Sequence, residues 1–449
     1  MPKTTLTYFP VKALGEPLRL LLAYGGEDFE DVRLDKEQFM AIKPTTPFGQ
    51  LPVLEMNGRK LAQSTALARY LGRKYGLAGA NDDEDLEIDQ HVDFVHDIRS
   101  KAATVQYEDN EEVREKKHAE LSKNFYPVAL EKLDAIIKKN NGHLAVGKLT
   151  WADFFFAGVI DYIKFMMRMD DLYTKYPSFK QLIDTVYGLP KVKEFSQKFW
   201  VTHYLSSIPS IKPLKSGCSG KICIRFIEFM RHEHSFSIQF IHQKVNHAQF
   251  LKNLRQDFIY GLGEPIRLLL THLGVDFEDV RVKREDWPAL KEKMPFGSMP
   301  VLEVNGKQYA QSVAIGRYLG HKYGLAGNNV EEDFEIDQNL DYVNDIRIKS
   351  LGVFYETDEA RKKEKHEALM KDYYPGAYGK LNEILLKNNG HLALGRLTWA
   401  DFYVGGMIDG FKMLTQMPDI EEKYPGLKKS LEVLESNPKV KAFVEKHKN

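Results

Sequence analysis

Shifted against itself by 248 positions, the chain matches without a gap. Gly15-Glu16-Pro17 falls on Gly263-Glu264-Pro265, Tyr70-Leu71-Gly72 on Tyr318-Leu319-Gly320, and Leu149-Thr150-Trp151-Ala152-Asp153 on Leu397-Thr398-Trp399-Ala400-Asp401. Solenoid and propeller repeats recur every roughly 20–50 residues, so a period this long marks one globular unit encoded twice. The longest shared run is PFGQLPVLEMNGRKLAQS, Pro47 to Ser64, which returns as PFGSMPVLEVNGKQYAQS, Pro295 to Ser312. Within it Val53–Glu55 reads as a short apolar strand and Lys60–Ala62 as its return. Asn57-Gly58 between them suits a type I′ turn, which needs positive φ twice. Leu51-Pro52 leads into the first strand, where a proline must sit at the first residue, an edge or a bulge. A cis bond there would turn the Leu51 backbone outward, to pair with a peptide-like ligand lying alongside as an extra strand. Gln63-Ser64 then opens a helix whose first N–H groups and positive dipole end suit a carboxylate.

Around this run each copy divides in two. Residues 1–78 read strand (Leu6–Phe9), helix (Pro17–Tyr24), strand (Asp31–Leu34), then the hairpin and its helix. That is a βαβ unit followed by ββα, which predicts a small mixed sheet covered by helices. From residue 82 to 200 the signals are helical. Ile88, Val92, Val95 and Ala102 recur at helical spacing, His118–Lys138 reads as one long amphipathic run, and Thr150 with Asp153 forms a capping box before FFFAGVIDYIKFMM. The second copy repeats the division at 249–327 and 328–449. The expected fold class is therefore α/β plus all-α: a thioredoxin-like domain and a helical-bundle domain, the pair duplicated in tandem.

Residues 201–248 have no counterpart elsewhere in the chain. This irregular connector carries KICIRFIEFMRHEHSFSIQFIH, basic and aromatic where most tethers are polar and flexible. The chain's two cysteines, Cys218 and Cys223, lie here with His232 and His234, but their spacing fits none of the usual zinc patterns, so no metal is assigned. A stretch outside folding constraint, such as a mis-joined gene model, is the other reading. Sixty-three basic residues balance sixty-three acidic ones, which leaves no electrostatic footprint for nucleic acid or an anionic membrane. With no signal-like start and no run of eighteen apolar residues, a cytoplasmic protein without membrane partners is expected.

A thioredoxin-like unit doing redox chemistry would carry Cys-x-x-Cys after its first strand. Here that place reads Phe9-Pro10-Val11-Lys12-Ala13-Leu14. Any thiol must then arrive with a ligand, and the protein's task is to stabilise its thiolate. Tyr8 ends the first strand with a hydroxyl able to donate to sulfur, and a thiol with a pKa of about 8.5 ionises appreciably at neutral pH only with such help. On spacing alone, an ordinary strand aromatic is the favoured reading of Tyr8.

The series YFPVKALGEPLRLLL, PFGQLPVLEMNGRKLAQSTALARYLGRKYGLAG and NNGHLAVGKLTWADFFFAG resembles the cytosolic glutathione S-transferases, and within them the sigma class. The resemblance covers about residues 1–200 and again 257–449. It implies glutathione as co-substrate and Tyr8 as the hydroxyl that stabilises its thiolate. It further implies Lys43 facing the glycyl carboxylate, the Leu51 backbone beside cis-Pro52 pairing with the cysteinyl part, and Gln63 and Ser64 holding the γ-glutamyl carboxylate, with Phe39 and Gln50 lining the same pocket. Asp97 would reach the γ-glutamyl amine of a partner's ligand. The second copy keeps Trp287, Lys291, Met299, Pro300, Gln311, Ser312 and Asp345 at the matching places.

Two departures bear on function. The first copy has Phe39 where the family commonly has a tryptophan whose N–H bonds glutathione, and the second has Gln256 where Tyr8 stands, with Tyr260 nearby but aligned to Lys12. Leu14 and Leu262 stand where some relatives, including prostaglandin D synthases, have an arginine, and Thr104 replaces an aromatic of their pocket. The expected reaction is attack of glutathione thiolate on a small hydrophobic electrophile or a lipid hydroperoxide, against a wall of Phe9, Leu14, Thr104, Phe155 and Val159. A non-enzymatic crystallin-like or ligand-carrying protein, and prostaglandin D isomerisation, are the alternatives. The resemblance also implies two-fold pairing, either as a pseudo-dimer within one chain or as a homodimer.

Overall fold

The computed structural model describes residues 3–206 and 261–447, apart from 284 and 357. In the first copy the sheet is built from β1 (Thr4–Tyr8), β2 (Phe29–Arg33), β3 (Val53–Met56) and β4 (Arg59–Ala62) in the order β2-β1-β3-β4. The β1–β2 pair is parallel and the other two are antiparallel, so the expected mixed sheet is present. Helix α1 (Glu16–Gly25) crosses from β1 to β2, α2 (Lys36–Ile42) precedes β3, and α3 (Ser64–Lys74) follows β4. Sequence periodicity missed α2. It is only two turns long, held by a capping box in which the Asp35 carboxylate accepts from the Gln38 N–H at 2.8 Å and the Asp35 N–H donates back to the Gln38 side chain at 2.9 Å.

The helical part comprises α4 (Asp82–Gln106), α5 (Glu111–Asn124), α6 (Tyr126–Lys139), α7 (Trp151–Met166), α8 (Leu172–Lys175), α9 (Pro177–Gly188) and α10 (Pro190–Ser206). The single run expected over His118–Lys138 is two helices that break at Phe125, whose φ and ψ are −124° and −54°. Pro127 explains the break: with no N–H to donate and a ring that clashes with the preceding turn, it belongs in the first turn of a new helix. The expected capping box of α7 forms. Asp153, wholly buried, accepts from the N–H groups of Thr150 at 2.7 Å and Leu144 at 2.8 Å, and so ties the helix start to the chain before it.

The second copy contains α11 (Glu264–Leu273), α12 (Trp287–Lys291), β5 (Val301–Val304), β6 (Lys307–Ala310), α13 (Ser312–Lys322), α14 (Val330–Phe354), α15 (Glu359–Asp372), α16 (Tyr374–Lys387), α17 (Trp399–Thr415), α18 (Ile420–Lys423), α19 (Pro425–Glu435) and α20 (Pro438–His447). Its helices reproduce those of the first copy. Its sheet is reduced: among the described residues only the β5–β6 hairpin is paired, and residues 275–283 run without strand structure. The residues leading to Gln256 do not read as a strand in the sequence, and that segment lies outside the described residues. Tyr260 and the connector with Cys218, Cys223, His232 and His234 lie outside them too. No helix among the described residues is long and apolar enough to cross a membrane.

By packing, the described chain falls into two compact units. The first holds residues up to Leu77 and from Val95 onward in the first half, and the second holds Ala78–Phe94 with the second copy. In this second unit Arg317 is almost wholly buried between two carboxylates, Asp89 and Asp337, each at 2.8 Å. Burial opposes its charge, but Asp337, Asp89 and Asp93 outweigh that and hold it protonated. Phe296 stacks on Phe94 with ring centroids 4.6 Å apart, and Gln90 accepts from the Ala310 N–H at 3.2 Å.

Candidate active site

Tyr8 is the last residue of β1 and is 7% exposed. Its ring lies over Gly15, where a Cβ would come within 2.4 Å of a ring carbon, so any side chain at that position would displace it. The Leu14 N–H donates to the Tyr8 hydroxyl at 3.3 Å. Burial pushes the phenol well above its ordinary pKa and Tyr107 adds to this, while Arg99, the Leu14 N–H and Arg19 act in the opposite sense without cancelling it. Tyr8 therefore stays protonated at neutral pH. With its oxygen already accepting from Leu14, its own proton is left to donate into the site.

The loop from Tyr8 to α1 is fastened at several points. Arg19, fully buried, donates to the Val11 carbonyl at 2.8 Å and the Phe9 carbonyl at 3.3 Å, and pairs with Asp31 at 3.0 Å and Glu16 at 3.3 Å. Lys12 Nζ donates to Asp161 on α7 at 2.8 Å. Between Lys12 and Leu14 sits Ala13 at φ 34°, a left-handed backbone that costs a residue with a Cβ about 1–3 kcal/mol and persists only where neighbours enforce it.

The residues that the family resemblance assigns to glutathione lie along the next segments. Lys43 caps the end of α2, with its stem 3.6 Å from where a Cβ on Gly49 would stand. The Leu51-Pro52 bond is cis, as expected. Gln63 has φ 71° at the N-cap of α3 and donates to Gln50 at 3.2 Å, and Ser64, the first helical residue, is 7% exposed. Phe39 is half-buried and meets Phe9 edge-to-face with centroids 5.4 Å apart, while Asp97 is exposed on α4.

The expected apolar wall needs correction. Phe155 and Val159 have no exposed surface; they point into the core around α7 and cannot face a ligand. Thr104 is exposed, but its hydroxyl turns back to the Lys101 carbonyl at 2.7 Å. Phe9 and Leu14 keep partly open faces. Sequence reading missed a polar group beside them. The hydroxyls of Tyr107, just past α4, and Tyr162, on α7, bond each other, and Arg99 exerts its field on Tyr8, Tyr162 and His96. Burial, with Arg99 next, drives His96 down to about 3, so it is a neutral imidazole. No local pattern could have joined positions 55 apart in sequence such as Tyr107 and Tyr162.

In the second copy Met299-Pro300 is likewise cis, Gln311 has φ 70° before Ser312, and a Cβ on Gly297 would lie 3.6 Å from Lys291. Trp287 is half-buried at the start of α12, and Asp345 is part-buried on α14. The cis-proline turn and the helix start after it therefore keep the backbone geometry of the first copy. Its reactive end differs: Gly410 and Gly352 stand where Tyr162 and Thr104 do, and Tyr355, the counterpart of Tyr107, is 61% exposed.

Comparison with known proteins agrees with this geometry. The family model for the glutathione S-transferase N-terminal domain matches residues 4–73 and 259–321, and that for the C-terminal domain matches 96–198 and 344–447. Glutathione S-transferase 2 of Manduca sexta is 57% identical over 195 residues, which are 43% of this chain and 96% of that protein. Glutathione S-transferase S1 of Drosophila melanogaster is 48% identical over 198 residues, 44% of this chain and 79% of that protein. Hematopoietic prostaglandin D synthase of Gallus gallus is 37% identical over 199 residues, 44% of this chain and 97% of that protein. Matched by both domain models in each half, the chain belongs to the glutathione S-transferase family and carries its two-domain unit twice in tandem.

Proposed function

We propose that this glutathione transferase is sigma-like and turns over mainly in its first copy, joining glutathione to small hydrophobic electrophiles as a detoxifying step. The observation that carries this reading is Tyr8: a buried, protonated phenol whose oxygen accepts from Leu14 and whose proton is left for a thiolate. In the reaction the sulfur uses its electron pair to form a bond to the electrophilic carbon, and the leaving group departs with the pair of the bond that breaks. Tyr8 lowers the energy of the thiolate without surrendering its proton. Lys43, Gln50, the Leu51 backbone, Gln63 and Ser64 bind the tripeptide, the last two at the dipole end of α3. Phe9 and Leu14 supply the apolar contact, and the Tyr107–Tyr162 pair with Arg99 offers donors to a polar end of the electrophile.

The second copy, in this reading, binds glutathione through Trp287, Lys291, Gln311 and Ser312 with little turnover. Two-fold pairing, as a pseudo-dimer within one chain or as a homodimer, goes with this reading.

The test is Tyr8→Phe in the full chain. Losing a hydrogen bond to a charged group costs about 1.5–3 kcal/mol, so the thiolate fraction of bound glutathione at neutral pH should fall roughly ten- to a hundredfold. An unchanged thiolate titration would remove Tyr8 from the mechanism. Calorimetry should still find two glutathione sites.

A further inference from the structure

We propose that Lys12 and Asp161 are positioning residues for the first copy's chemistry: their ion pair holds the β1–α1 loop in the turn that sets the Leu14 N–H on the Tyr8 oxygen. The inference rests on the reading of Tyr8 as the thiolate's partner. Lys12 Nζ is 2.8 Å from Asp161 Oδ2, and both side chains are partly shielded, at 27% and 40% exposure. The groups around the lysine form one set. Tyr173 donates its hydroxyl to the same carboxylate, Lys12 lies 5.5 Å from the centroid of the Tyr187 ring, and the Tyr187 hydroxyl donates to Glu16 at 3.1 Å. Burial works against the charge of Asp161, but Lys12 and the Tyr173 hydroxyl bring its carboxyl below the usual range, so the pair is ionic at neutral pH.

Ala13 shows why the loop needs this hold. Its left-handed backbone is the step between the anchored Lys12 and the donating Leu14, and an alanine relaxes out of that region unless both flanks are fixed. Lys12 fixes one flank on α7, and the Leu14 N–H on Tyr8 fixes the other. The second copy keeps the aspartate, as Asp409, and has changed the parts around it. Tyr260 stands in place of Lys12, Gly261 in place of Ala13 and Glu421 in place of Tyr173. Asp409, the counterpart of Asp161, is instead met by Lys412 of its own helix at 3.3 Å, and Lys412 also pairs with Glu421 at 2.6 Å. The clamp is thus present in the copy that has the tyrosine and replaced in the copy that lacks it.

Thiolate absorbance of glutathione bound to the full chain, followed against pH, tests the proposal. Lys12→Met and Asp161→Asn should each lower the thiolate fraction at neutral pH about three- to tenfold, the range of one neutral hydrogen bond, with glutathione affinity unchanged and Lys12→Arg restoring the signal. The paired variants separate a clamp from a field. If Lys12 acted on the thiolate as a bare cation, Asp161→Asn would unmask its charge and raise the thiolate fraction, which would overturn the proposal. Tyr8→Phe combined with Lys12→Met should be no worse than Tyr8→Phe alone, and additive losses would also overturn it. A shift in Tyr8→Phe with none in Lys12→Met defeats the clamp and leaves Tyr8 in place. No shift in Tyr8→Phe defeats both. Should Lys12→Met fold poorly, Lys12→Gln provides the same comparison.

Discussion

The pentapeptide Phe-Glu-Asp-Val-Arg stands at residues 29–33 and again at 277–281, and the two occurrences fold differently. In the first copy it is β2, an edge strand whose one neighbour is β1, paired in parallel from Thr4↔Phe29 to Tyr8↔Arg33. In the second it has no strand structure, and Val280 is 68% exposed where Val32 is half-buried. An edge strand depends on a single partner. The stretch aligned with Thr4-Thr5-Leu6-Thr7-Tyr8 reads Lys252-Asn253-Leu254-Arg255-Gln256, which exchanges strand-favouring threonines and tyrosine for residues that favour strands less. The effect spreads to the neighbouring ion pairs. Arg19 is fully buried with Glu16 and Asp31, whereas Arg267 keeps Glu264 and Asp279 but is 20% exposed. The strand-favouring residues and the tyrosine are replaced in one and the same aligned stretch, because Tyr8 is itself the end of β1.

The largest effect expected from this contrast is on stability. Arg19→Met should destabilise the protein by about 3–5 kcal/mol, since it takes a fully buried cation away from Glu16 and Asp31, whereas Arg267→Met should cost about 0–1 kcal/mol as a more solvent-screened pair. Equal costs in denaturant unfolding of the full chain would break the comparison. Amide exchange sharpens it next. Because the pentapeptides are identical their intrinsic exchange rates match, and the amides of Glu30 and Val32, the alternate positions that face β1, should exchange at least ~100-fold more slowly than those of Glu278 and Val280. Writing Thr-Thr-Leu-Thr-Tyr at 252–256 should bring protection to the second. The smallest effect concerns a feature the copies share. His143 lies 3.4 Å from Asp153, as His391 does from Asp401. The nearby Asp153 carboxylate raises the pKa of His143 against the pull of burial. A raised folded-state pKa means stability fully present below the unfolded value of about 6.5 and lost as pH rises through the folded one. Stability measured by denaturation should therefore decline by about 0.5 kcal/mol across that window, and the decline should vanish in His143→Gln.

Features governed by near neighbours were legible in the sequence. The Asn57-Gly58 turn, the Thr150–Asp153 capping box and the α4 stripe of Ile88, Val92, Val95 and Ala102 form as expected, because each is decided within a few residues by backbone geometry or helical period. Boundaries were less legible where one residue overrides a pattern, as Pro127 does in dividing α5 from α6. The cis Leu51-Pro52 bond and the start of α3 at Ser64 were legible too, through their motif. The burial of α7 was not: Phe155 and Val159 are apolar, as a ligand-facing wall would be, but which face of α7 meets the core is set by what packs on it.

The amino-acid sequence by itself determined that one unit is encoded twice, that each copy has a sheet part and a helical part, and that Tyr8 has no equivalent at position 256, for these are matters of alignment and local chemistry. Only the tertiary structure decided that Tyr107 meets Tyr162, that Lys12 reaches Asp161 across 149 positions, and that one pentapeptide becomes a strand and its twin does not. The physical reason is common to all three. A hydrogen bond or an ion pair between distant residues, like a β-ladder, belongs to two segments at once, and its free energy depends on whether the fold brings the second one within about 3 Å.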